Sequence, residues 1–381
     1  LELENQQILT PYDNFLYALK AKETKRQYPH RLDKFLVFMG LKGTIEEKCT
    51  KLYEFTKING DSIQSYIIKF INFQKKRIEN KEISEGTLVN YIKAIKLFYS
   101  MNDIVINWKK IGKGLPAERH NADDRIPTME EIKKLLEHPD RRIKPIVYIM
   151  LSAGIRVGSW DFLKWKHIIP IFRNDVLAAA KIILKNTKIN NREYYSFITP
   201  EAYHSLKDWM DFRALHGEVI TGESWLMRDT WEKIDRDHSH RIGLAKFPKK
   251  FGCTAIGNMI GEAWRVQGVR DLLDPAKKIK RHEFKSTHSF RKYFETRCQL
   301  KMNHNNIKLL MDHSLGESQN YHRPVEKELL EDYLNAVDLL TVNDEFRLKR
   351  RIEVLEVEKS QLDNIAKDVA FLKRKYNKLK G

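Results

Sequence analysis

The sequence predicts a mainly α-helical chain of two domains, the second an α+β domain with a small β-sheet, closed by a heptad-patterned helix. Three observations predict this. Apolar residues recur at helical spacing through the first hundred or so positions, one stretch after position 176 changes to strand chemistry, and the C-terminal end repeats every seven residues. At 381 residues the chain also exceeds one average domain.

In the first domain, 1–110, Tyr28, Leu32, Phe35, Leu36 and Met39 fall on one helical face, with Pro29 leaving the start of that helix open. Ile63, Tyr66, Ile67, Phe70 and Ile71 repeat the stripe, and Leu88, Tyr91, Ile92, Ile95 and Phe98 repeat it again. Lysines and arginines lie opposite these stripes: Lys75, Lys76 and Arg77 on one segment, Lys93 and Lys96 on another. Any one of them reads as a solvated surface residue. Together they read as a phosphate-facing side.

Periodicity disappears over 111–127, where glycines, two prolines and Asn121-Ala122-Asp123-Asp124 mark a linker. The second domain, 128–341, opens with Thr128-Met129-Glu130-Glu131, a capping box whose helix extends through Leu135 and Leu136. Between Val176 and Thr199, the stretches Ala180 to Leu184 and Tyr194 to Ile198 flank a polar centre containing Asn186, Asn190 and Asn191, which predicts a β-hairpin. Helical patterns resume as far as about Leu340. Over 342–381, Leu348, Leu355, Leu362, Val369 and Tyr376 fall seven apart and Ile365, Leu372 and Leu379 fill a second seam. Arg351 and Glu358 interrupt that second seam in its first half, so the helix either packs in its own chain or pairs with another copy.

With 69 lysines and arginines against 51 acidic residues, a formal net charge of +18 points to a polyanionic partner. Charge alone does not separate DNA from RNA or an anionic membrane. No apolar run approaches the roughly 20 residues needed to span a bilayer, and Leu1 to Gln7 lack the layout of a secretory signal. A soluble intracellular protein is expected, and the start at Leu1 leaves room for upstream residues. Cys49, Cys253 and Cys298 are odd in number and far apart, and read as buried or free thiols. Asp237-His238-Ser239-His240 reads as a polar loop rather than a metal site, because histidines at i and i+2 do not share a helix face. The run Lys277-Lys278-Ile279-Lys280-Arg281-His282 reads as a phosphate-contacting loop. No Gly-x-x-x-x-Gly-Lys segment is present, which disfavours an ATP-driven motor.

Three segments of the second domain stand out: Ser152-Ala153-Gly154-Ile155-Arg156-Val157-Gly158, then His288-Ser289-Phe290-Arg291, then Leu310-Met311-Asp312-His313-Ser314 followed by Tyr321. In this order and at these separations they resemble the tyrosine recombinase (phage integrase) family, over about Thr128 to Tyr333, and look most similar to its archaeal integrases. The helical first domain resembles, less specifically, the family's core-binding domain.

The resemblance implies a site-specific recombinase that cleaves and rejoins DNA through a 3′-phosphotyrosine, with neither metal nor nucleotide cofactor. Arg156 and Arg291 would hold the phosphorane oxygens with forked, charge-assisted hydrogen bonds. His288, three residues before Arg291 on the same helix face, would reach the same phosphate, and His313 would add a donor. Tyr321 would be the nucleophile. The family draws the leaving-group proton from a lysine of the β-hairpin; counting back from Tyr194-Tyr195-Ser196-Phe197 places Lys188 there, with Lys185 second because hairpin lengths vary.

Three departures matter: Ser159 stands where an acidic residue commonly follows, Asp312 replaces the usual glycine, and Tyr321 comes one residue early after His313. The last makes Tyr333 the alternative nucleophile, although a tyrosine packed inside a helix bundle is the simpler reading there. The implied partners are double-stranded DNA and three further copies, in a tetramer on DNA, with no membrane; the implied location is cytoplasmic and nucleoid-associated. The rival activities are relaxation by a type IB topoisomerase and DNA binding without catalysis.

Overall fold

The computed structural model describes residues 9–116, 125–186, 192–230, 247–271, 282–316 and 322–380. The chain divides into two compact units, Leu1–Asn121 and Ala122–Gly381.

The first unit is all helical: α1 (Pro11–Tyr17), α2 (Lys22–Phe38), α3 (Ile45–Ile58), α4 (Gly60–Glu79), α5 (Glu85–Met101) and α6 (Trp108–Gly112). Side-chain caps fix several starts. Thr10 and Asp13 form a capping box at α1, as Thr44 and Glu47 do at α3, and Ser84 caps α5. The predicted apolar stripes converge on one core in which Leu32, Phe35, Phe70, Leu88, Ile95 and Phe98 are fully buried. Helix α2 runs straight through Pro29. An interior proline costs a helix about 3 kcal/mol, and the buried Leu32, one turn later, and Phe35 and Leu36, two turns later, offset it. Ile111 and Gly112, the first residues of the expected linker, belong to α6, where Ile111 joins the core. Lys93 and Lys96 project from the exposed face of α5.

The second unit begins with α7 (Met129–Leu136), whose capping box is formed as the sequence predicts: the Glu131 backbone N–H donates to the Thr128 hydroxyl at 3.2 Å and the Thr128 N–H donates to the Glu131 carboxylate at 2.7 Å. The apolar α8 (Ile143–Ala153) follows and is the central helix. Three antiparallel strands then form one sheet in the order β1 (Ile168–Arg173), β2 (Val176–Asn186), β3 (Arg192–Ile198). The β2–β3 pair is the predicted hairpin, in register from Ala180 opposite Ile198 to Asn186 opposite Arg192. Strand β1 was not foreseen, because Pro170 breaks its apolar run. Its signal is the Asn174-Asp175 dipeptide, both residues with positive φ, in the two-residue turn that joins β1 to β2.

Helices α9 (Pro200–Leu215), α10 (Cys253–Val266), α11 (His288–Cys298), α12 (His304–Leu310) and α13 (Glu326–Leu340) complete the domain, and α14 (Asp344–Lys380) is one 37-residue helix. Two cores result. One packs α7, α8, α9 and α10 over the sheet, and the other packs α11, α12 and α13 against Ala179 and Phe197. Helix α11 lies between α8 and α13, so the segments carrying Arg156, Arg291 and His313 meet at its side. No helix among the described residues is long and apolar enough to cross a membrane.

Candidate active site

The first arginine is placed by a forced chain reversal. Helix α8 ends at Gly154, with φ +59°, and a Cβ there would lie 2.4 Å from the Phe294 ring, so only glycine fits. Ile155 is buried beyond it, and the extended backbone at Arg156 leaves that side chain 43% exposed at the domain surface.

Arg291 comes from one turn inside α11 and is buried. Its Nη1 donates to the carbonyl of Gly154, and its Nη2 donates to the carbonyl of Met311 and to Nε2 of His313, the last at 2.8 Å. One guanidinium thus ties the turn after α8 to the turn after α12. Burial, and next the neighbouring Arg156 guanidinium, pull the Arg291 pKa down to about 10. It remains cationic at neutral pH. Two guanidiniums this close form a place where an anion gains from both.

His313 follows the end of α12, its N–H donating to the Lys308 carbonyl at 2.8 Å. A guanidinium has no acceptor, so the Arg291 contact fixes Nε2 as the unprotonated nitrogen and leaves the proton on Nδ1. Burial, then Arg291 and Arg156, hold the His313 pKa below the usual 6.5. Protonation would therefore come only at a pH below that value. Any reaction that uses the neutral His313 is expected to show an acid limb centred below pH 6.5; a limb centred at or above 6.5 would contradict the neutral imidazole.

Asp312, which sequence reading registered only as a departure, is the residue it missed. It has φ +52° and a side chain only 3% exposed. Its carboxylate accepts from the Asn186 amide at the end of β2, pairs with Arg192 at 2.6 Å at the start of β3, and lies 3.7 Å from Arg156. One carboxylate joins the turn end of the hairpin to the arginine site. Ser159, the other substituted position, is buried, and its hydroxyl partly offsets the burial that raises the Tyr194 pKa on β3.

The remaining candidates divide. His288 is the first residue of α11, exposed and one turn before Arg291. Lys188 and Tyr321 lie outside the described residues, as do Asp237 to His240 and the run from Lys277 to Arg281. Lys185, the second lysine, is 3.6 Å from Glu193 across the hairpin. Of the described residues on either side of Tyr321, Leu315 is buried, and the His322 ring contacts the Asn306 amide oxygen on α12 at 2.7 Å. Tyr333 is fully buried, with its hydroxyl donating to the Ser152 carbonyl at 3.0 Å and its ring against Phe197. That is a packing role.

No family model and no curated protein sequence matches the chain. Solved structures do. XerA recombinase matches with 20% identity and a TM-score of 0.35 over 85% of this chain and 96% of that one. The XerH site-specific recombinase in a post-cleavage complex with palindromic difH substrate matches with 14% identity and a TM-score of 0.45, over 85% and 93%. A lambda integrase dimer bound to a COC′ core site matches with 10% identity and a TM-score of 0.46, over 84% and 99%. At these identities and TM-scores the likenesses carry no residue role or activity across to this chain.

Proposed function

We propose that this chain is a site-specific DNA recombinase of the tyrosine type, an integrase similar to those of archaeal mobile elements. The observation that carries this reading is the convergence of Arg156, Arg291 and a neutral His313 from three distant segments onto one partly exposed spot. Such a set suits a phosphodiester whose nonbridging oxygens gain charge during attack. Arg156 and Arg291 bind those oxygens, His313 offers Nδ1–H, and His288 reaches the same phosphate from the helix start. Tyr321 attacks phosphorus and forms a 3′-phosphotyrosine while the 5′-oxygen leaves with a proton from Lys188. Because the phosphoester bond energy is retained, attack by a new 5′-hydroxyl rejoins the strand without nucleotide hydrolysis.

The basic faces of α4 and α5 fit the remainder of the task, gripping the duplex through phosphates while the second domain cuts it. Exchange between two duplexes requires four active sites, hence a tetramer assembled on DNA, in the nucleoid-associated cytoplasm. A nicked duplex that traps covalent protein–DNA adducts tests the reading. Wild-type protein and Tyr333→Phe are expected to form the adduct and Tyr321→Phe to form none. No adduct from wild type would reduce the chain to a DNA-binding protein, and an adduct from Tyr321→Phe would move the nucleophile elsewhere. Relaxation of supercoiled DNA without joining of two marked duplexes would identify a topoisomerase instead.

A further inference from the structure

Helix α14 rises about 55 Å at 1.5 Å per residue, yet from Leu348 onward its described side chains are exposed on every side. Leu348, Ile352, Leu355, Leu362, Ile365, Val369 and Leu372 are 45–65% exposed. Helices in proteins owe most of their stability to packing an apolar face, so a helix carrying seven bare aliphatic residues is built for a partner. Alternating steps of three and four fit a second helix, whose side chains interlock at that period.

We propose that α14 pairs with α14 of a second copy of this chain as a parallel, in-register, two-stranded coiled coil. The pattern itself identifies the occupant. Leu348, Ile352 and Leu355 take positions d, a and d, which places Ile352 in the seam and Arg351 beside it. Leu362, Ile365, Val369 and Leu372 take a, d, a and d, and the sequence continues the spacing at Tyr376 and Leu379. From d at Leu355 to a at Leu362 is seven residues where the regular repeat takes four, a three-residue insertion that locally overwinds the coil. Both strands of a coil must carry such an irregularity at the same level. It sits near the N-terminal third of the seam, so an antiparallel partner would place it against regular heptads, whereas an identical parallel helix matches it.

Charge agrees with this alignment. In a parallel pair, position g of one helix faces position e of the next heptad on the other. Arg351 and Glu356 take those places, and by sequence Asp368 and Lys373 do so again. The root of the helix is also fixed. Buried Glu201 accepts from the backbone N–H groups of Val342 and Asn343, both at 2.8 Å, the Asn343 side chain caps Glu345 and Phe346, and Asp344 pairs with Lys133 at 2.7 Å. Two paired copies therefore meet through helices that leave their domains at defined points.

The full chain is tested without DNA, so failure here leaves the strand-cleavage reading standing. Analytical ultracentrifugation is expected to show a dimer that Leu362→Glu with Leu372→Glu converts to monomer. Arg351→Glu should weaken the dimer roughly tenfold, and Arg351→Glu with Glu356→Arg should restore it. Orientation is read by disulfide trapping, in which Leu362→Cys should cross-link to itself. A wild-type chain that stays monomeric throughout, a charge reversal without effect, or cross-linking of Leu348→Cys to Leu372→Cys in a mixture would overturn the proposal. So would dimerisation that persists in the double-glutamate variant.

Discussion

Replacing Arg156 by alanine is expected to slow strand cleavage by about 100- to 1,000-fold, the usual loss when one donor to a developing oxyanion is removed. Duplex affinity should change by roughly threefold at most, because binding is spread over many phosphate contacts. Arg156 is the informative arginine because it is 43% exposed and supports little else. Arg291→Ala should be at least as slow, but it also strips donors from the buried carbonyls of Gly154 and Met311, at about 1–3 kcal/mol each. Its effect then mixes chemistry with folding. Arg291→Lys separates the two in part, since the ammonium keeps the charge and loses the fork that reaches both turns. Gel-shift titration and single-turnover cleavage on the same substrate decide the matter. If Arg156→Ala loses binding and cleavage in equal measure, the arginine grips the duplex rather than its reacting phosphate.

The parts of this molecule legible in the sequence are those set by local rules. Thr128 and Glu131 predict the start of α7 because a capping box involves only neighbours. The stripes of Phe35, Phe70 and Phe98 predict the first core because helical periodicity is a local count. The parts that were not legible are set by distant partners. Pro170 hides β1, which exists because β2 offers it an edge. Asp312 looked like an incidental exchange for glycine, since its partners Asn186, Arg192 and Arg156 lie 120 or more residues away and only the fold gathers them. In α14 the second seam expected from a seven-residue count meets Arg351 and Glu358, and the aliphatic residue nearest that level is Ile352, one position on and 55% exposed. Spacing leaves Tyr333 as the alternative to Tyr321, and no local rule shows that its hydroxyl donates to the distant Ser152 carbonyl inside the core.

Asp312→Gly is expected to slow cleavage by roughly 10- to 100-fold while leaving the fold almost unchanged, the size of effect that small misplacement of a reacting group produces. The stability terms partly offset. Arg156 and Arg192 are each about half exposed, so losing their contacts with the carboxylate costs about 1 kcal/mol, and losing the Asn186 hydrogen bond costs about 1 kcal/mol more. Glycine at φ +52° recovers about 1 kcal/mol of left-handed strain. What is lost is geometry: the carboxylate sets where Arg156 points and holds the ends of β2 and β3, the arms of the hairpin from which Lys188 would act. Removing a negative charge from beside the phosphate site should at the same time tighten binding of intact DNA, so affinity and rate are expected to move in opposite directions. Asp312→Asn keeps an acceptor for Arg192 and tolerates the left-handed backbone, and should fall between. Melting temperature, duplex affinity and single-turnover rate, measured on the three proteins, separate this from a merely structural role, which would lower all three together. An unchanged rate in Asp312→Gly would show that Arg156 needs no such guide.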